Sequence, residues 1–146
     1  MQGVRASLTE TLIIPAEIRS EMLAYVSKRP DIEMCGYLSG HAGRIQRMVP
    51  MTNVDQAIDH FQFDPKEQFQ AVKAARSAGE KLLAVFHSHP ETPARLSAED
   101  IRLLNDPQMI YVVVSLALTP PDVKAYKINK PSPDTVEVTM VEIKEE

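Results

Sequence analysis

His87 and His89 stand two positions apart at the end of an apolar run, Leu82 to Phe86. Side chains at i and i+2 of a strand share a face, so both imidazoles leave a strand end in the same direction and can chelate one cation. Asp100 opens a helix-like segment after the loop that follows, and can fold back over the same strand end. Two imidazole nitrogens and a carboxylate oxygen make a three-ligand set that suits zinc. The fourth tetrahedral position is left for water, as in catalytic sites. Zinc lowers the pKa of that water to about 7.

Such a water needs a neighbour to take its proton and pass it to a leaving amine, and a carboxylate beside the metal but not on it does both. Glu33, just before the strand-like Cys35–Leu38, is the candidate. Ser97, three residues before Asp100, offers a hydroxyl to a developing oxyanion. Each residue also has a plainer reading. Ser97-x-x-Asp100 resembles a helix capping box, Glu33 alone is a solvated acid, and His-x-His alone is a weak signal. The set gains meaning from its combination at element ends. Cys35 with His87 as base is a poorer site, because Cys35 sits among Met34, Gly36, Tyr37 and Leu38 and reads as a small core residue. His41 and His60 read as structural or solvated, and the seven scattered methionines as packing. There is no His-Glu-x-x-His helix, no Pro-Cys-x-x-Cys and no Gly-rich phosphate loop.

These residues need a scaffold. Leu12–Ile14 reads as a strand, followed by a helix opening at Pro15 and carrying Ile18, Met22 and Val26 on one face to about Lys28. Cys35–Leu38 and Arg44–Met51 read as a hairpin joined through Ser39–Gly43. Asp64-Pro65-Lys66-Glu67 starts a helix, with Asp64 as cap, Glu67 completing a capping box, and Phe69, Val72 and Ala75 facing inward to Gly79. Leu82–Phe86 reads as a strand covered on both faces, Ser97–Leu104 as a short helix, and Tyr111–Leu118 and Val123–Ile128 as strands. The alternation around Val136, Val138 and Met140 gives a last strand. The expected class is α/β, a central mixed sheet flanked by helices.

The chain has 146 residues, enough for one domain (1–146) that buries roughly two-thirds of its unfolded surface. Hydrophobic residues are 44% and charged ones 25%, the balance of a soluble globular protein. A net charge of -4 argues against non-specific nucleic-acid binding. No signal peptide or membrane-spanning run is legible. Cys35, the only cysteine, excludes an intrachain disulfide and fits a reducing cytoplasm.

Assembled, the residues resemble the JAMM metalloprotease family, also called MPN-plus domains. Its pattern is an upstream Glu, then His-[Ser/Thr]-His-Pro, six residues, and Ser-x-x-Asp. Here these are Glu33, His87-Ser88-His89-Pro90, Glu91 to Leu96, and Ser97-Ala98-Glu99-Asp100. Glu33-Met34-Cys35-Gly36 also looks like the Glu-x-Cys-Gly of prokaryotic members, and the order of elements agrees over nearly the whole chain. The resemblance implies a cytidine-deaminase-like MPN architecture of the compact, stand-alone prokaryotic type. It implies Zn2+ on His87, His89 and Asp100, water activation by Glu33 and oxyanion stabilisation by Ser97. The implied reaction is hydrolysis of a peptide or isopeptide bond after the C-terminal Gly-Gly of a ubiquitin-like or sulfur-carrier protein, with neither nucleic acid nor membrane as partner. Two rivals stay open: a zinc hydrolase of small amides or dipeptides, and a catalytically silent MPN binding scaffold.

Overall fold

The computed structural model describes residues 4–146; Met1–Gly3, part of the stretch read as lacking a signal peptide, lie outside the described residues. Seven strands and three helices follow one another among the described residues: β1 (Val4–Ile13), α1 (Ala16–Val26), β2 (Cys35–His41), β3 (Arg44–Met51), α2 (Pro65–Ser77), β4 (Lys81–His89), α3 (Ala98–Leu103), β5 (Ile110–Ser115), β6 (Asp122–Ser132) and β7 (Thr135–Lys144). The strand order is β1-β3-β2-β4-β5-β6-β7. The sheet is mixed: β2 is antiparallel to β3 and β4, while β4–β5 and β1–β7 are parallel. The α/β class is as expected. The mixed sheet closes on itself, β1 reaching β3 through the single register pair Ile13↔Arg44.

Strand alternation sorts the buried residues into two layers. Leu38, Ala84, Phe86, Val112 and Val114 pack with Met22 and Val26 of α1. Tyr37, Val85 and Tyr111 pack with Ala71 of α2. β4 is thus covered on both faces, which explains its unbroken apolar run. Val85, His87 and His89 share a face, and Phe86 and Ser88 take the other. Gly36 is a packing requirement: a Cβ there would lie 2.6 Å from the Phe86 ring and 2.4 Å from the Val49 carbonyl oxygen. Among the described residues the methionines are packing residues as expected, with Met22, Met48 and Met51 buried and Met34, Met109 and Met140 against the core.

Several boundaries and faces differ from expectation. The β2–β3 strands run on past Ser39 and Gly40, so the turn is only Ala42-Gly43, both with positive φ (52° and 79°) as a tight two-residue hairpin requires. Asp64 caps α2 by accepting from the Lys66 N–H at 3.0 Å, but Glu67 does not complete a capping box. Its carboxylate accepts instead from the Thr52 N–H and hydroxyl at 2.9 and 2.8 Å, tying the helix to the end of β3. Phe69 and Val72 do not face inward: they are 64% and 40% exposed, and α2 rests on Ala71 and Ala75. Small residues let the helix approach the sheet closely, and this outweighs the hydrophobicity of the larger ones.

Candidate metal centre

β4 delivers both histidines to one point. His87 is held between Cys35 of β2 and Val113 of β5, and His89 lies opposite Ser115. Both are buried, with ring centroids 4.9 Å apart. Their Nε2 atoms are 3.1 Å apart, and Asp100 Oδ2 lies 3.2 Å from His87 Nε2 and 3.0 Å from His89 Nε2. Donor atoms bound to a tetrahedral zinc stand roughly 3.3 Å from one another, given bonds of about 2.0–2.1 Å. The triangle of donors fits such an ion. Glu33 also offers an oxygen within 4.8 Å of both imidazoles. However, its Oε2 is 4.0 Å from His89 Nε2, so it stands outside the triangle that Asp100 closes.

The supports explain the convergence. His89 Nδ1 lies 2.9 Å from the Pro93 carbonyl oxygen, which can only accept. That nitrogen therefore carries the proton, and Nε2 faces the centre. Among the described residues His87 Nδ1 has no hydrogen-bond partner; its ring is set by packing against Phe61 at a centroid distance of 4.8 Å. Asp100 is fixed by a complete capping box: its N–H donates to Ser97 Oγ at 3.0 Å, and its Oδ2 accepts from the Ser97 N–H at 3.0 Å. Burial opposes the Asp100 charge, but the hydrogen bonds with His87 and His89 outweigh it and hold the carboxyl far below the usual range. Burial also opposes protonation of His89, yet its bonds to Asp100 and Pro93 raise its pKa overall.

Glu33 is 3% exposed, and its Oε1 has no hydrogen-bond partner among the described residues. Burial, then the charges of Asp100 and Asp59, push its carboxyl up to about 9. A buried acid with an orphaned oxygen beside two imidazoles is an arrangement that a cation completes. Ser97 lines the same cleft, of about 180 Å3, with Glu33 and His89. Its Oγ is occupied as the cap acceptor, which leaves the hydroxyl proton free to donate. The capping and oxyanion readings are therefore compatible. Cys35 is fully buried, and burial followed by the charges of Glu33 and Glu67 pushes its thiol up to about 12, which removes it as a nucleophile at neutral pH. His41 is exposed, and half-exposed His60 pairs with Asp55 at 3.2 Å and Asp59 at 2.9 Å.

The sequence reading assigns no role to four residues that support the site. Asn53 is buried and makes four side-chain hydrogen bonds, to the Glu33 and His60 carbonyls and from the Asp55 and Gln62 N–H groups. Ser88, between the histidines but on the opposite face, brackets Met34: its Oγ accepts from the Met34 N–H, and its own N–H donates to the Met34 carbonyl, both at 2.9 Å. Ser115 and Tyr126 donate to the Thr92 and Ala94 carbonyls at 2.6 and 2.7 Å. With the His89–Pro93 bond, three consecutive carbonyls of the ligand loop are anchored.

The profile of the family described as prokaryotic homologs of the JAB domain matches residues 15–129. The chain belongs to this prokaryotic JAB family. A similar curated relative is the CysO-cysteine peptidase of Mycobacterium tuberculosis, 32% identical over 114 residues, covering 77% of this chain and 78% of that one. The desampylase of Pyrococcus furiosus is 29% identical over 105 residues, covering 72% and 74%. Protein DSY2949 from Desulfitobacterium hafniense superposes with a TM-score of 0.78 at 41% identity, covering 94% of each chain. A JAB1/MPN domain protein from Archaeoglobus fulgidus shares the fold, with a TM-score of 0.59 at 18% identity over 92% of this chain and 100% of that one. The MPN architecture implied by the motif is therefore the observed one. The matched span of the JAB family contains Glu33, His87, His89, Ser97 and Asp100. No helix among the described residues is long and apolar enough to cross a membrane.

Proposed function

We propose that this protein is a zinc metallopeptidase that hydrolyses the peptide or isopeptide bond after the C-terminal Gly-Gly of a ubiquitin-like or sulfur-carrier protein. The observation that carries this reading is the triangle of His87 Nε2, His89 Nε2 and Asp100 Oδ2 with edges of 3.0–3.2 Å, beside the buried, half-unpartnered Glu33 carboxyl. His87, His89 and Asp100 would hold the zinc. When bound, zinc supplies a Lewis acid that brings the pKa of a water to about 7. Glu33 takes the proton of the attacking water at a carboxylate oxygen and returns it to the departing nitrogen. With a dication held beside it, Glu33 would be ionised, the form that a base needs. The Ser97 hydroxyl donates to the carbonyl oxygen as negative charge builds there.

The substrate class is supported by the names of the relatives, a CysO-cysteine peptidase and a desampylase. Glycines before the scissile carbonyl let the tail pass close to the metal, where a Cβ would collide. The chain acts as a single domain over residues 1–146, in the cytoplasm, on a protein tail and not on nucleic acid or membrane. A carrier bearing a short extension after Gly-Gly, incubated with zinc-loaded protein and read by mass spectrometry, is expected to lose the extension. Replacing the last Gly by Val is expected to block cleavage. Equal cleavage of the Val tail, or rapid turnover of a dipeptide with none of the carrier, rejects the reading in favour of a small-amide hydrolase. No turnover of any of these by the zinc-loaded protein favours the scaffold.

Ser97 gives a separate test. Ser97→Ala removes a donor worth roughly 10²–10³ in turnover and a cap worth about 1 kcal/mol. Its kcat is expected to fall by that factor, with a modest drop in melting temperature. Ser97→Asp can cap but, ionised, cannot donate. Full activity in Ser97→Asp would reduce the hydroxyl to a cap.

A further inference from the structure

The site has two unlike flanks. On one side lies a cavity of about 520 Å3 with mostly aromatic and aliphatic walls, among them Tyr37, Phe61, Phe63, Leu103 and Met109. Phe61 forms its border with the centre, against the His87 ring. On the other side lies the small cleft of about 180 Å3 that holds Glu33, His89 and Ser97, together with Ile58, Asp59 and Glu91.

Glu33 decides which half of a substrate each flank receives. The group that returns a proton to the leaving nitrogen must stand beside that nitrogen. Glu33 lines the small cleft and not the large cavity. The amine is therefore expected to depart through the cleft, on the side away from the cavity. The ionisable groups of the cleft are His89 and three carboxylates, Glu33, Asp59 and Glu91, and no lysine or arginine lines it. Arg95, the only cation between Pro90 and Ser97, is exposed and outside that lining. The Glu33 side chain is 4% exposed, with Oε1 unpartnered at the cleft.

A free amino acid released here carries a carboxylate one carbon from its amine and brings that charge against Asp59 and Glu91. The ε-amine of a lysine carries no such group, and its apolar stem can lie along Ile58, which is 44% exposed. Resting on the peptidase reading above, we propose that Asp59 and Glu91 select the leaving group by charge, so that the cleft favours a lysine ε-amine, or an amine whose chain continues, over a free amino acid. Both carboxylates are exposed, and Asp59 is also paired with His60 at 2.9 Å, so Glu91 is expected to contribute up to about five-fold at low salt and Asp59 less, both shrinking as ionic strength rises.

The test uses three substrates built on one sulfur-carrier protein ending in Gly-Gly. One is extended by a single alanine as the free acid, one by alanine carboxamide, and one is joined to a lysine ε-amine. With zinc-loaded protein at low salt, kcat/KM for the carboxamide is expected to exceed that for the acid by about five- to twenty-fold, with the lysine-linked tail behaving like the carboxamide. The gap should narrow in high salt and in the Asp59→Asn/Glu91→Gln double variant. Equal rates for acid and carboxamide, a faster acid, or a gap untouched by the double variant overturns this proposal alone. Cleavage of none of the three overturns the peptidase reading, and this proposal with it.

Discussion

Glu33→Gln is expected to fold, to keep its metal, and to lose about 10²–10⁴-fold in turnover, the usual worth of a positioned acid/base. The amide has the shape of the carboxyl but cannot accept a proton from water at neutral pH. Metal retention is expected because the nearest Glu33 oxygen is 4.0 Å from His89 Nε2, outside the triangle that Asp100 closes. Folding should be unharmed for a further reason. In metal-stripped protein the Glu33 carboxyl is pushed up from its ordinary 4.5 to about 9, chiefly by burial. An acid with a raised folded-state pKa burdens the fold increasingly as pH rises above the ordinary value, and not below it. Metal-stripped Glu33→Gln is thus expected to melt above metal-stripped wild type at pH 8, with the difference closing below about pH 4.5. Wild-type turnover in the variant removes Glu33 from the chemistry, and loss of bound metal would make it a ligand.

The candidate site residues that stand out in the sequence do so because their spacing is local. His87 and His89 announce themselves through strand alternation, and Ser97 and Asp100 through a capping box that holds. Residues that act through long-range contact leave no such trace. Asn53 reads as an ordinary loop asparagine until its amide is seen to join Glu33 to the 53–62 loop. Tyr126 reads as one more strand aromatic until its hydroxyl is found on the Ala94 carbonyl, 32 positions away in sequence. Side-chain direction on α2 is hidden from the sequence for a related reason. The pattern Phe69, Val72 and Ala75 counts hydrophobicity, whereas the contact with the sheet is made by Ala71 and Ala75. Closure of the sheet rests on one register pair between β1 and β3, and nothing in either segment alone specifies it.

Removing the two histidines is expected to have the largest effect on metal content. His87→Ala/His89→Ala leaves Asp100 as the only member of the triangle, and a single carboxylate on α3 cannot hold a dication against water. Purified wild-type protein should carry zinc near one equivalent per chain, and the double variant less than a tenth of that by elemental analysis. Because the variant also strips Asp100 of both imidazole partners, a lower melting temperature is expected, and content alone would not separate a lost site from a damaged fold. Asp100→Asn answers that. The amide oxygen can still accept from the Ser97 N–H and keep the first turn of α3, while the ligand charge is gone, so metal should fall with little change in folding. Chelation gives a readout independent of activity. A ligand bound only to the folded state stabilises it by about 4.1 kcal/mol at a thousand times its Kd. A chelator should therefore lower the melting temperature of wild type and of Ser97→Ala, and leave both metal-site variants unmoved. Full zinc retention in the double histidine variant, or a chelator shift in it equal to that of wild type, places the metal elsewhere in the chain.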